Sequence, residues 1–350
     1  YSAPGKNRYT YTLDGLSESW IEVGAARRFA TFTGLPPGSY LLRVRGANSD
    51  GIWSDREATL ALTVTPPFWA TWWFRLTLLA VAVGLALAAL RARMRTVRMR
   101  AELGAAHDAQ MSIMPQAEPE IEGFELAGVC LPASEVGGDF FDWFWVDGDP
   151  RRLAVAVGDA AGKAMTAAMA AVMADGMLFS RVRQGTTVES ALDSLNSSLN
   201  LKVGARRFIA LCLLTLDPVC RELTFANAGL CEPLLRSRVG VTPLSSPGDR
   251  FPLGALRSAT YRSRTMVLHP GDVVVIYSDG VPEARDPNGE LFGYDAPRRI
   301  LQDLDTDRMS PHRIRDVLVH AVRRFARGAP QSDDVAIVVI KATKPGTVDA

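Results

Sequence analysis

Leu153-Ala-Val-Ala-Val-Gly-Asp159 reads as a short buried strand that ends on an acid, and the arrangement recurs along the chain. Val273-Val-Val-Ile-Tyr-Ser-Asp279 repeats it, and Asp333-Asp334 stand directly before the apolar run 335–340. A further acid, Asp139, follows Val136-Gly-Gly and opens the aromatic run "FFDWFW" at 140–145. Taken singly, each is an ordinary turn or cap residue. Several at the ends of continuous apolar strands ask for another explanation. If the strands converge, two carboxylates about 4 Å apart repel by roughly 4 kcal/mol at an effective dielectric of about 20. Something positive then has to stand between them. No Lys or Arg lies within two residues of Asp139 or Asp279, although Arg285 is near in sequence and a distant base can fold in. A set of oxygens without His or Cys suits hard cations, Mg²⁺ or Mn²⁺, rather than zinc. Two such ions clamp a phosphoryl group and generate hydroxide from water near neutral pH, so the reaction class is metal-assisted phosphoester hydrolysis. Asp142 keeps the plain reading of a surface or turn acid, and the aromatics around it that of core.

Working outward, residues 163–180 form an Ala- and Met-rich helix whose methionines read as core. Thr186-x-x-Glu189 has the form of a capping box ahead of Leu192, Leu195 and Leu199 on one helical face. Residues 208–216 and 222–225 make a hairpin about Asp217-Pro-Val-Cys220, and His269-Pro-Gly-Asp272 turns into the strand 273–277. Ser310-Pro311 starts a helix with the stripe Ile314, Val317, Leu318, Ala321 and Phe325, which Gly328 stops. Strands mixed with covering helices give an α+β class from Phe124 onward.

Upstream, Pro66-Pro67 precede an aromatic cluster and then an apolar run over 69–90, about as long as the ~20 residues that cross a bilayer. Arg75 near its start can snorkel among Trp69, Trp72 and Trp73. Arg91, Arg93, Arg95, Arg98 and Arg100 follow, and by the positive-inside rule they place everything after Leu90 in the cytoplasm and everything before it outside. A buried core helix is the alternative. Residues 91–115 continue as a charged helical connector in which Met94, Val97, Ala101, Gly104 and Met111 give a weak heptad seam, equally compatible with a solvated single helix and a dimeric coil. Before Pro66, short alternating strands between Gly and Pro signals point to a small antiparallel β-sandwich.

With 350 residues and a net charge of +1, the chain has room for two or three domains and no general basic field for nucleic acid. Its four cysteines show no Cys-x-x-Cys spacing, which fits reduced thiols in a cytosolic domain. Tyr1 rather than Met opens the sequence, and it is expected to begin a fragment of something longer.

Two resemblances account for these patterns. Tyr9-x-Tyr11-x-Leu13-x-Gly15, Trp20, "LPPGSY", "ANSDGIWS" and "PPFW" resemble the Y_Y_Y module that stands between a periplasmic propeller and the membrane helix of bacterial hybrid sensors. It implies an immunoglobulin-like, non-catalytic sandwich over 1–67, with a propeller upstream. "LPASEVGGDFFD", "VAVGDAAGKAMTAAMA", "FANAGLCEPLL", "FPLG", "VVVIYSDGVPEARDPNGELFG" and "QSDDVAIVVI" resemble, in type, order and spacing, the SpoIIE-like branch of the metal-dependent PPM protein phosphatases. That implies two antiparallel β-sheets flanked by helices, with a dinuclear Mn²⁺ or Mg²⁺ centre at one edge. Carried over residue by residue, Asp139 falls on the first metal-site acid, Asp159 on the bridging ligand, the carbonyl of Ala160 on a backbone ligand, and Asp279 and Asp333 on the remaining carboxylates. Asp334 falls on a supporting neighbour and further candidate ligand. These residues would act through metal-bound water, since the sequence offers no His or Cys nucleophile near the motifs.

Four positions depart from the pattern: Ala164 for a second glycine, Leu230 for a His, Ala336 for a Thr, and Ala161 where larger relatives carry an acid His. "GDAAGKA" fails as a P-loop, with only three residues between Gly158 and Gly162. The division expected is 1–67 Y_Y_Y-like sandwich, 69–90 transmembrane helix, 91–115 connector, 116–343 phosphatase domain and 344–350 tail. The function expected is a single-pass protein of the bacterial inner membrane in which an exterior signal controls dephosphorylation of phosphoserine or phosphothreonine. The resemblance implies a STAS-type anti-anti-sigma factor as the substrate and partner, and a homodimer through the connector is a further option. A pseudophosphatase that relays the signal as a binding module is the alternative.

Overall fold

The computed structural model describes residues 4–146, 151–162, 165–202 and 208–344. The chain divides into two compact units, Tyr1–Thr96 and Val97–Ala350. In the first, β1 (Arg8–Asp14), β2 (Ile21–Gly24), β3 (Gly38–Ala47) and β4 (Ala58–Val64) form one antiparallel sheet of order β2-β1-β3-β4. The Tyr40 hydroxyl donates to the Pro36 carbonyl at 2.7 Å and fixes the approach of the Pro-Pro segment to β3. Trp20 stacks under Arg43 and Arg45, and Glu57 pairs with both guanidinium groups.

The expected sandwich is corrected here. Among the described residues there is a single four-stranded layer, because 25–37 and 48–57, the stretches available for a second sheet, form no strand. Leu41 and Leu60 accordingly remain exposed.

Helix α1 (Trp72–Ile113) takes in most of both helical stretches read from the sequence. The apolar span and the charged connector are one continuous helix, there being no proline until Pro115. Trp69 falls in a 3-10 turn, Phe68–Ala70, ahead of it. None of the helix's most apolar window is buried.

The second unit holds two five-stranded antiparallel sheets. One contains β5 (Phe124–Leu131), β10 (Leu234–Ser237), β11 (Gly240–Pro243), β13 (Val273–Tyr277) and β14 (Val335–Ala342), in the order β11-β10-β13-β14-β5. The other contains β6 (Asp139–Trp145), β7 (Leu153–Ala160), β8 (Ile209–Asp217), β9 (Glu222–Ala228) and β12 (Arg264–Val267), in the order β12-β9-β8-β7-β6. Strands β7, β8, β13 and β14 are apolar almost throughout because both their faces are covered. Helices α2 (Met165–Arg183) and α3 (Val188–Lys202) pack on β6 to β9, while α4 (Asp295–Asp303) and α5 (Pro311–Ala326) pack on the other sheet.

Two local expectations change. In α2 the buried face is alanine (Ala167, Ala170, Ala171, Ala174), whereas Met169 is 68% exposed and Met173 and Met177 lie at the margin of the core. Small residues let this helix lie close on β6 and β7. At the start of α3 the cap is Thr187, whose hydroxyl accepts the Ser190 N–H at 3.3 Å. Thr186 instead donates back to Arg181, and Glu189 is engaged by Ser263. Ser310 caps α5 as read, and Arg327 takes the left-handed conformation ahead of Gly328.

Candidate functional site

Antiparallel pairing brings the strand-end acids to one rim. Asp139, first in β6, lies directly opposite Asp159, next to last in β7. In the other sheet, β13 runs out to Asp279 at the same end at which Asp333 and Asp334 lead into β14. Hydrogen bonds across the two sheets fix the rim. Asp334 accepts the Ala133 N–H at 2.7 Å on one oxygen and the Gly138 N–H at 2.6 Å on the other. Ser278 donates to the Asp139 carboxylate and itself accepts the Ala336 N–H at 2.9 Å. The Cys130 thiol donates to the Asp139 carbonyl at 3.4 Å.

The glycines mark where backbone passes against the site. A Cβ on Gly280 would stand 1.7 Å from the Asp334 carbonyl oxygen, and one on Gly138 2.5 Å from that of Ala160. Gly138 therefore shapes two candidate ligands at once, as the residue before Asp139 and the one lying under the Ala160 carbonyl. Its own carbonyl accepts the Ala160 N–H at 3.1 Å.

Burial and mutual repulsion govern the protonation of this rim. Asp139 is 2% exposed and one of its carboxylate oxygens, Oδ2, has no hydrogen-bond partner. Burial first, then the charge of Asp159, pushes it well above the usual carboxylate range. Asp159 is raised to about 7 and Asp279 to about 6, by burial and then by the neighbouring acids, and Asp333 is raised by burial. Among the described residues, the charged neighbours that act most on Asp139, Asp159 and Asp279 are other carboxylates. A cation fits this arrangement: it would occupy the unpartnered oxygen of Asp139 and remove the repulsion, and the oxygen donors match Mg²⁺ or Mn²⁺. Among the described residues no three such side chains already close into a cage, so an ion has to gather them.

Of the sequence candidates, Asp139, Asp159, Asp279 and Asp333 meet at the rim with the Ala160 backbone. Asp334 belongs there as a clamp, with both oxygens taken by N–H groups. Two members went unread. Ser278 sits inside the motif beside Asp279, and Glu283 reaches the rim because its N–H bonds to the Asp279 carbonyl at 2.9 Å in a single helical turn. Glu283 raises Asp159, Asp279 and Asp333. Cys231 lines the cavity beside Asp159 and Asp279. Burial and those acids push its thiol up to about 12, which keeps it protonated and unsuited to attack. Leu230 turns inward, held by Asn227 at both its N–H and its carbonyl. Ala164 lies outside the described residues.

Asp142 is not the surface acid it resembled. It is half-buried and hydrogen-bonded to the carboxyl of Asp175 on α2, which is 8% exposed. Two carboxyl groups bond only by sharing a proton, and burial raises Asp142 to about 6 and Asp175 to about 7. The alternation along β6 turns Asp142 away from Asp139 and toward the helix.

The end of α1 reaches the same strand. Gln110 is 7% exposed; its amide donates to the Gly137 carbonyl at 2.8 Å and accepts the Gly137 N–H at 3.3 Å. A residue of the long helix is thus tied two positions before Asp139.

Comparison with known proteins agrees with this architecture. Residues 149–343 match the family of stage II sporulation protein E, SpoIIE, and residues 1–65 match the Y_Y_Y domain. The chain is similar to protein IcfG of Synechocystis sp., with 25% identity over 273 residues that cover 69% of this chain and 41% of that protein. It is similar also to phosphoserine phosphatase RsbU of Bacillus subtilis, with 25% identity over 206 residues, 59% of this chain and 61% of RsbU. The chain therefore spans less than two thirds of either curated relative. Among solved structures it is similar to the SiaA-PP2C domain of Pseudomonas aeruginosa, with a TM-score of 0.59 and 20% identity over 70% of this chain and 97% of that one, a likeness of fold.

Proposed function

Because the chain belongs to the SpoIIE family through residues 149–343, we propose that it is a metal-dependent serine/threonine protein phosphatase whose ions are held by Asp139, Asp159, Asp279 and Asp333. The buried Asp139 carboxylate, opposite Asp159 and with one oxygen unpartnered, is the observation that carries this reading. Mn²⁺ or Mg²⁺, when bound, polarises a phosphoryl group and acidifies water. The chain's own residues prepare the site. Ser278 orients Asp139, Gly138 leaves the Ala160 carbonyl room to face the rim, and Asp334 holds the Gly137-Gly138 turn. Phosphorylated STAS-type regulators, implied by resemblance, are the substrate class.

The domain division at 67, 90 and 115 belongs to the same proposal, with 69–90 as the membrane anchor and the Y_Y_Y unit outside. The unburied apolar surface of α1 and the arginines that follow Leu90 support it. Incubating the full chain in detergent micelles with Mn²⁺ and a phosphoserine protein tests the chemistry. Release of phosphate that stops with chelator and with Asp279→Asn is expected. Turnover that survives either would overturn the assignment, and phosphoprotein binding without turnover or metal uptake would favour a relay module instead.

A further inference from the structure

We infer that the cavity beside the acid rim receives the residues flanking the phosphoserine, and that Arg298 selects an acidic side chain among them. This rests on the phosphatase reading above. The cavity measures about 500 Å³; Asp159 and Asp279 form one side, and Arg250, Arg298, Tyr277 and Tyr294 contribute to the remainder. A volume of this size is roughly 10 Å across, and an extended chain advances about 3.3 Å per residue. A phosphoseryl group at the rim therefore leaves space for two or three further residues.

The two arginines differ in what they have left to offer. Arg250 is paired with Glu232 at 2.8 Å, and Glu232 also accepts from the Ser245 hydroxyl at 2.6 Å. Arg298, on α4, donates its Nε to the Val241 carbonyl at 3.3 Å. That bond pins the guanidinium to β11 while both terminal nitrogens meet no carboxylate among the described residues. Glu232 and Asp295 also line the cavity, the first already engaged by Arg250 and the second without a pairing to Arg298. Among the described residues of the lining Arg298 is thus the cation without a carboxylate partner, exposed and tethered through Nε, and a guanidinium fork is suited to a carboxylate. Tyr277 and Tyr294 add aromatic surface for the chain between the two ends, and the Tyr294 hydroxyl is itself anchored on Glu283 at 3.0 Å.

The test uses the full chain in micelles with Mn²⁺, p-nitrophenyl phosphate, and phosphoserine peptides carrying Ala, Glu or Lys two and three positions to either side. Parent protein is expected to favour a Glu peptide by about tenfold in kcat/KM, through KM, the order expected of a charge-assisted pair. Arg298→Ala should lose that preference with p-nitrophenyl phosphate kinetics unchanged, and Arg298→Glu should turn it toward the Lys peptide. Equal discrimination in parent and variants would overturn the inference, as would an equal loss on peptides and p-nitrophenyl phosphate. Failure of the phosphatase reading looks different, since the parent would then hydrolyse none of these compounds. Peptide affinity by fluorescence anisotropy, compared across the same proteins, decides the role of Arg298 even in that case.

Discussion

The shared proton between Asp142 and Asp175 makes a quantitative prediction. In the folded chain the pair holds a proton up to about pH 6 to 7, whereas an unfolded aspartate has lost it above an ordinary value of 3.8. Between these limits the native state binds more protons than the unfolded state, so stability falls as pH rises, and the loss is complete once pH passes the folded values. One proton over the two pH units from 5 to 7 amounts to about 2.7 kcal/mol at 1.36 kcal/mol per unit, and partial exposure of Asp142 reduces this to about 2 kcal/mol. For a unit of this size that is about 4 to 8 °C in Tm. In Asp175→Asn the amide donates to Asp142 without needing a proton. Melting both proteins across pH 5 to 8 in the same metal-free buffer should show the variant gaining about 2 kcal/mol on the parent between pH 5 and 7 and keeping that gain at pH 8. The rim acids titrate in both proteins and cancel in the difference. Parallel curves would refute the shared proton.

Gln110→Ala leaves the Gly137 N–H and carbonyl without their buried partner, at a cost of about 1 to 3 kcal/mol; calorimetry should find weakened Mn²⁺ binding, and unchanged binding would show that the tie does not position Asp139. Gly280→Ala puts a methyl 1.7 Å from the Asp334 carbonyl, so loss of metal binding and a depressed Tm are expected. A reporter fused after Arg100 should prove cytoplasmic, and an exterior signal would reverse the topology.

The rim was legible because its acids stand at the ends of apolar runs, Asp159 and Asp279 after theirs and Asp139 and Asp333 before theirs. What escaped notice was non-local. Asp142 and Asp175 stand on a strand and a helix far apart in sequence, and nothing in "FFDWFW" says which face of β6 meets α2. Gln110 was likewise one polar residue in a charged helix; its value comes from a two-point bond to a glycine distant in sequence. In the amino-terminal unit the period-two alternation picked out β1, β3 and β4, but it also took 27–33 for strand and passed over β2; the number of layers depends on whether 25–37 pairs, and alternation does not contain that information.

Strand β6 carries two acids with opposite needs, and their opposition should be visible in the pH profile. Asp139 and its rim partners need a cation, for which protons compete, so metal affinity rises as Asp279 and Asp159 shed protons near pH 6 and 7. Asp142, three residues along the same strand, needs the proton that ties it to Asp175, and that tie weakens through the same interval. Asp175 also lines, with Gln110, Ile113 and Met114, a small cavity at the end of α1, so loosening the pair loosens the seat of the helix end tied to Gly137. At limiting Mn²⁺ the activity should therefore pass through a maximum near neutrality. Raising Mn²⁺ should move the rising limb to lower pH and leave the falling limb where it is, and Asp175→Asn should remove the falling limb alone. A falling limb that shifts with Mn²⁺ would mean that both limbs report the metal site and that the carboxyl pair is silent in catalysis.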